Sequence, residues 1–312
     1  MKTLLGIDIG GTKIAGGVVD AETGAVLRQD RVPTFAAEGG PAVLARAIDL
    51  ASRLRDAALA DGLPSPAAVG VGAGGQIDAE TGTVLSATAL LPGWAGTGIA
   101  VAFEKALSVP CAADNDVNAL AAGETRFGAG RGCSNLVYLA LGTGVGGGIV
   151  SGGRLHRSRT GVSGEIGHLV LIADGLPCTC GGKGCLEQYV SGPALRRQYA
   201  ALGGPPLPEG IALADLARQD PDSPAGRAIR LCGELLGLGL VSLVNLFGPE
   251  QVIIGGGLAG LGDLLLEPAR QVVAGRALPA VRATPIRTAG LGADASLIGA
   301  ASLAIDLSTD RA

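Results

Sequence analysis

The chain has 312 residues, 47% of them hydrophobic and 17% charged, with 53 glycines and 17 prolines; so much apolar surface excludes a disordered chain, and the glycines lack the three-residue period of collagen. A net charge of −4 and an aromatic content of 3% exclude the basic footprint and the stacking platforms of a nucleic-acid backbone binder. At about twice the usual domain length, two domains or one large α/β unit are expected.

Mean hydropathy is +0.41. Even so, the uncharged stretch from Thr81 to Phe103 is interrupted by Pro92-Gly93-Trp94, Gly96 and Gly98, and that from Leu235 to Pro249 is too short to span a bilayer. The N-terminal MKTLLGID reaches Asp8 before a signal-peptide apolar region forms. A soluble, cytoplasmic chain is expected.

In chain order, Leu4 to Ile9, Ile14 to Val19 and Ala25 to Val32 read as three short strands joined by glycine-rich turns. Pro41 to Leu59 has the apolar spacing of a helix, with Arg46, Asp49, Arg53 and Asp56 on its other side. Ala68 to Ala73 reads as a buried strand and Gly98 to Leu107 as a helix. A short strand ending on Ala112-Ala113 opens onto Asp114-Asn115-Asp116, and Val117 to Phe127 is then helical. A second strand block follows at Asn135 to Leu141, Gly146 to Val150 and Arg154 to Leu155. Further on come a helix over Leu186 to Ala201, a Pro/Asp-rich connection with one short helix, and a long apolar helix over Gly226 to Phe247. Gln251 to Ile254 is a strand ending on Gly255-Gly256-Gly257, and Ala293 to Ile305 is a last helix. The segments IDIGGTKIAGGV and LALGTGVGGGIV share a glycine turn between two strands, which predicts two related halves with a cleft between them.

Gly10 and Gly11 permit a tight turn whose N–H groups can face an anion, with Thr12 and Lys13 as added donors. A strand follows, so neither a P-loop nor a dinucleotide fingerprint fits; alone, the segment is equally a hairpin turn. Gly142 to Gly148 repeats the device with five glycines in seven positions, and Gly255-Gly256-Gly257 is a third turn at a strand end. Together the three suit one nucleotide lying across a cleft. Asp114-Asn115-Asp116 reads as a helix cap or as a carboxylate that takes a hydroxyl proton beside an orienting amide.

His168, Cys178, Cys180 and Cys185 supply four soft and borderline ligands in a glycine-rich loop, suited to a closed tetrahedral zinc site; three thiols without metal are the alternative. Glu165 and Glu187 bracket that loop, as surface carboxylates or as acceptors for a polyhydroxylated ligand. Cys111, Cys133 and Cys232 read as buried thiols, and His156, beside Arg157 and Arg159, as a surface residue.

The set GIDIGGTK, ADNDVNA, GTGVGGG, GEIGH and CTCGGKGCLE resembles the ROK family of sugar kinases and sugar-responsive repressors, from Leu4 to about Ile305. The resemblance implies a duplicated actin-like (ribonuclease H-like) ATPase fold, two α/β domains with an interdomain cleft and a zinc-binding loop at 168–185. The small domain would comprise 1–116 with a C-terminal helix at about 293–312, and the large domain 117–292. The implied activity is transfer of the γ-phosphoryl group of Mg-ATP to a hexose hydroxyl, the 6-hydroxyl of glucose first. An amino sugar such as N-acetylmannosamine or a sugar-like cyclitol is an alternative acceptor, and a non-catalytic sugar-sensing regulator is an alternative of another class. No room for a DNA-binding domain is expected before Gly6.

Carried over residue by residue, Asp116 is the catalytic base. Gly75, Asn115, Glu165, His168 and Glu187 join it at the sugar. Asp8 would hold the Mg²⁺ water shell, with Gly10, Gly11, Thr12 and Lys13 near the phosphates. Thr143 and Gly144 match the second phosphate turn, Gly256 and Gly257 the nucleotide turn, and His168, Cys178, Cys180 and Cys185 the ligands of a structural Zn²⁺. ATP, Mg²⁺ and Zn²⁺ are the implied cofactors, a homodimer or homotetramer the implied assembly, with no nucleic acid or membrane partner. The chain departs from many members in having Gly74-Gly75 for a Pro-Gly pair, and Ala89 or Leu90 where they carry Asn. Both changes bear on the acceptor.

Overall fold

The computed structural model describes residues 1–87, 91–206 and 212–308; the departure at Ala89 or Leu90 lies outside them. In chain order the elements are β1 (Thr3–Ile9), β2 (Lys13–Asp20), β3 (Val26–Pro33), α1 (Gly40–Ala60), β4 (Val69–Ala73), β5 (Gln76–Asp78), β6 (Thr83–Ser86), α2 (Ile99–Leu107), β7 (Cys111–Asn115) and α3 (Asp116–Arg126). Then follow β8 (Leu136–Leu141), β9 (Val145–Ser151), β10 (Arg154–Leu155), α4 (Glu187–Val190), α5 (Gly192–Ala201), α6 (Leu213–Gln219), α7 (Pro224–Phe247), β11 (Gln251–Gly255), α8 (Asp263–Arg276), β12 (Ile286–Thr288) and α9 (Ala295–Ser302).

The strand order of the first sheet is β3-β2-β1-β4-β7 and of the second β10-β9-β8-β11-β12. Each is a third-second-first-fourth-fifth order, so the duplication read from the glycine turns is a duplication of topology. In the first sheet β2 pairs antiparallel with both β1 and β3, while β4 pairs parallel with β1 and β7 parallel with β4. Parallel strands buried on both faces are mostly apolar, as β4 is throughout and β1 is from Leu4 to Ile7.

The chain divides into two compact units: Met1–Gly132, Ile149–Gly164 and Gly290–Ala312 form the first, and Cys133–Gly148 with Glu165–Ala289 the second. The boundary expected at 116/117 falls inside the first of these units, in the first turn of α3. The reason is packing: α3 lies against α9 and β4. Its contact with α9 is made by small residues. A side chain on Gly299 would come within 2.6 Å of the Ala119 carbonyl, and one on Gly123 within 2.8 Å of the Gly299 Cα. On the sheet, side chains at Gly6 and Gly70 would overlap the carbonyl oxygens of Leu297 and Ala300. Backbone packs on backbone across this face. The opposite face of the sheet carries the larger core, with Leu50, Phe103, Ile99 and Trp94 under α1 and α2.

Three expectations change. The single helix over Leu186 to Ala201 is two, α4 and α5, because Ser191 is extended (φ −92°, ψ 168°) and caps a new helix through its side chain, with Pro193 in the first turn. The hairpin of β5 and β6 and the helix α8 were not anticipated: the strands span three and four residues, and Pro268 sits inside α8. Cys133 is half-buried, unlike the buried Cys111 and Cys232. The α7 helix is apolar and long enough to cross a membrane, but half of its most apolar window is buried against its own unit, where Gly233 and Gly237 meet α8.

Candidate active site

In the first unit the site is built at the ends of β1, β4 and β7. Register pairs Asp8 with Gly72 and Ala73 with Asn115, so the three strands end side by side. The Gly10–Lys13 turn is closed by Gly10 N donating to the Lys13 carbonyl at 3.0 Å. It is braced from outside by Thr34, whose hydroxyl donates to the Gly10 carbonyl at 2.6 Å and whose N–H donates to that of Thr12 at 2.9 Å. Gly11, Thr12 and Lys13 remain exposed, with open space around Gly11.

At the β7–α3 corner both readings of Asp114-Asn115-Asp116 meet. Asn115 is the cap: its Oδ1 accepts from Val117 N at 2.9 Å and Asn118 N at 3.4 Å. Its Nδ2 donates to the Gly75 carbonyl at 3.1 Å, which joins two of the expected acceptor residues. Gly75 has φ +116°, and a side chain there would meet the Ser86 carbonyl at 2.7 Å. Trp94, next in sequence to Pro92-Gly93, donates its indole N–H to the Gly74 carbonyl at 3.1 Å.

Asp116 opens α3, its Oδ1 accepting from Val117 N at 2.9 Å. Burial pushes its carboxyl above the usual carboxylate range, against the hydrogen bonds of Val117, its own amide and Asn115. Asp8 is raised too, first by burial and then by the charge of Asp116, while a Ser296 hydroxyl and Lys13 work the other way. A buried carboxyl whose charge raises that of a second carboxyl suits a proton acceptor beside a place for a cation. Ser296 on α9 was not singled out from the sequence; it lies 288 positions from Asp8 and no local motif marks it.

In the second unit, Glu187 belongs to the glycine turn. Its Oε2 accepts from Val145 N at 2.9 Å, and a side chain on Gly144 would meet the same oxygen at 2.6 Å. Thr143 is exposed at the tip. Gly256 (φ +81°) packs on Leu141, so the turn that ends on Gly257 adjoins the residue before Gly142. Glu165 and His168 share one 3₁₀ turn, His168 N donating to the Glu165 carbonyl at 3.0 Å.

The donor atoms of His168, Cys178, Cys180 and Cys185 all lie within 4.8 Å of one another. A tetrahedral zinc with bonds of about 2.3 Å to sulfur and about 2.05 Å to nitrogen requires S···S of about 3.8 Å and S···N of about 3.6 Å. The Cys180–Cys185 Sγ separation is 3.6 Å and that from Cys178 Sγ to His168 Nδ1 is 3.7 Å, so the donor set fits. Burial opposes the Cys178 thiolate, but hydrogen bonds from Cys180, Cys185 and His168 outweigh it and bring the thiol down to about 6. Cys185 is pushed up to about 12 by burial and the neighbouring thiols. Because His168 turns Nδ1 to the cluster, Nε2 is directed away from it.

The ROK family model matches residues 4–307. The glucokinase of Streptomyces coelicolor is 38% identical over 97% of this chain and 98% of its own. Among solved structures, the ROK hexokinase of Thermus thermophilus superposes with a TM-score of 0.80 at 36% identity, covering 96% of this chain and 97% of that one. The ROK family glucokinase of Streptomyces griseus, in complex with glucose and AMPPNP, gives 0.77 at 36% identity over 96% and 98%. The chain is a member of the ROK family, with the mixed α/β actin-like ATPase fold of its kinases.

Proposed function

We propose that the chain is an ATP-dependent hexose kinase with glucose as its first acceptor, and that Asp116 is its general base. The observation that carries the reading is the β7–α3 corner: a carboxyl raised by burial, anchored by its helix start, on a chain 38% identical to a glucokinase over nearly its whole length. As the acceptor hydroxyl oxygen forms its bond to the γ-phosphorus, Asp116 takes the hydroxyl proton. The bond from that phosphorus to the bridging oxygen breaks and ADP leaves. Such transfer depends on positioning and charge neutralisation more than on covalent help.

Asn115, Gly75, Glu165, His168 and Glu187 would hold the sugar. The turns Gly10–Lys13 and Thr143–Gly144 would offer N–H groups to phosphates, with Gly256 and Gly257 at the nucleoside. Asp8 would hold the water shell of a Mg²⁺ ion, which would supply charge neutralisation at the phosphates. His168, Cys178, Cys180 and Cys185 would hold a structural Zn²⁺, which fixes the His168 tautomer so that Nε2–H can donate to a hydroxyl. A cytoplasmic homodimer or homotetramer belongs to the same reading, and light scattering on the eluted protein decides the assembly.

The test is ADP release with Mg-ATP across glucose, mannose, fructose, N-acetylmannosamine, N-acetylglucosamine and cyclitols, with Asp116→Asn as the blank. Turnover on glucose supports the reading in full. Turnover confined to an amino sugar or cyclitol corrects the acceptor, and silence on all of them refutes the kinase.

A further inference from the structure

We propose that Arg157 is a positioning residue for the base: through an ion pair with the buried Asp114 it holds the β7–α3 corner in the conformation that aims Asp116. The inference rests on the kinase reading for the role of Asp116, and on the following geometry for the rest.

Asp114 is the penultimate residue of β7, with a side chain only 4% exposed. Its Oδ1 accepts from Asn115 N at 2.7 Å and from Asn118 Nδ2 at 2.8 Å, both groups of the corner itself. Its Oδ2 accepts from Arg157 Nε at 2.7 Å. The first two donors are neutral, so Arg157 brings the positive charge that a buried carboxylate requires. One carboxylate thus ties the last turn of a strand, the first turn of a helix and a distant arginine together.

The base is tied only to its sequence neighbours, through hydrogen bonds from Val117, its own amide and Asn115. The hydrogen bond to Asp116 Oδ1 comes from the next residue, Val117. The direction of its carboxylate therefore follows the backbone from Asn115 to Val117. That backbone is held on one side by Asn115 donating to Gly75, and on the other by Asp114 and Arg157. Arg157 follows β10, in the Ile149–Gly164 segment that groups with the first unit. Its side chain is 43% exposed, so it is no support of the core. Because the pair is open to water on its arginine side, solvent replaces part of the charge compensation when the guanidinium is removed, which limits the cost to global stability. Its contribution is local, at the residue two positions before the base.

The experiment compares wild type, Arg157→Ala, Arg157→Lys, Asp114→Asn and the Arg157→Ala/Asp114→Asn pair, in steady-state phosphorylation of the accepted sugar with Mg-ATP. Arg157→Ala is expected to lose about tenfold in kcat, since a displacement of about 1 Å at a reacting group costs up to a hundredfold. Both KM values should stay within about twofold, because a group acting only on the chemical step leaves ground-state binding alone. Arg157→Lys restores the charge and should recover part of the loss. The double variant should be no slower than the slower single one, the signature of two residues acting through one contact.

Additive losses, or a loss confined to the KM for Mg-ATP, would show that Arg157 touches a phosphate directly and would overturn the proposal; so would an unchanged kcat. Hydrogen exchange at the peptide spanning residues 111–120 is the readout independent of turnover: faster exchange in Arg157→Ala supports the tether and unchanged exchange rejects it. A wild type silent on every acceptor refutes the kinase reading alone, and hydrogen exchange then decides whether Arg157 holds the corner.

Discussion

Glu124, in the last turn of the helix that begins with Asp116, is fully buried and accepts backbone hydrogen bonds from two loops. Oε2 takes Ala129 N at 2.7 Å, and Oε1 takes Gly290 N at 2.9 Å and Leu291 N at 3.0 Å. In Glu124→Ala three backbone N–H groups lose the carboxylate. Hydrogen bonds to a charged group contribute about 1.5–3 kcal/mol each, so the gross loss is about 4–9 kcal/mol. Loop relaxation and water entry recover part of it, and about 3–5 kcal/mol of destabilisation is expected. Glu124→Gln keeps one oxygen for Gly290 and Leu291 but turns an amide N–H₂ towards Ala129, for a loss of about 1–3 kcal/mol. The assay is already in the chain: Trp94 is its single tryptophan, 1% exposed, and lies in the same unit as Glu124. Urea unfolding followed by Trp94 fluorescence reports that unit directly. A loss below about 1 kcal/mol for Glu124→Ala, the worth of one ordinary hydrogen bond, would refute the view that this carboxylate anchors both loops.

Asp116→Asn should lower kcat by about 10²–10⁴-fold, the usual range for removing a general base, with the sugar KM little changed. The same variant should melt higher than wild type at pH 7. Burial raises the Asp116 carboxyl in the folded chain, so the folded state is favoured below the unfolded carboxylate range and loses that advantage as pH rises through the folded value. The difference in Tm should therefore fade as pH is lowered to about 4, and a difference constant across pH would contradict the assignment. Cys180→Ser should lose stoichiometric zinc by elemental analysis and sugar affinity with it; zinc retained at one per chain would reject Cys180 as a ligand. Gly70→Ala should cost about 3 kcal/mol or more, because its methyl has only the Ala300 carbonyl to displace. Gly275→Ala, with nothing within 4 Å, should be neutral or stabilising in thermal melting, and equal behaviour of the two would refute the packing argument.

What was legible in the sequence was local. The glycine turns, the Asp114-Asn115-Asp116 corner and the thiol loop each lie within a short window, and their residue types carry their chemistry without knowledge of the fold. The two halves were legible for the same reason, since a repeated turn between repeated strands needs no tertiary information. What escaped depends on partners far along the chain. Arg157 was passed over as a neighbour of a surface histidine; its role comes from Asp114, 43 positions away. Ser296 reaches Asp8 from the other end of the chain. Asn115 and Gly75 were each expected at the sugar, but their direct hydrogen bond follows from the register of β4 against β7. The helix α8 was not read from the sequence; it carries Pro268 within its length, and that proline packs within 3.1 Å of where a side chain on Gly233 would stand.

The face where α9 meets β1, β4 and α3 has a consequence for how variation in this chain should be interpreted. Gly6, Gly70, Gly123 and Gly299 leave no space for a methyl group, so a survey of tolerated substitutions would mark them as forbidden as Asp116. Intolerance there would be a record of two backbones in contact. A map of invariant positions would thus contain two superimposed populations, one chemical and one steric, indistinguishable by frequency. They separate under a different measurement. Second-site truncation cannot rescue the glycines, since the first obstacle is backbone (a carbonyl oxygen at Gly6, Gly70 and Gly299, the Gly299 backbone at Gly123) that no side-chain change removes, whereas a lost carboxylate can be complemented by an added small acid.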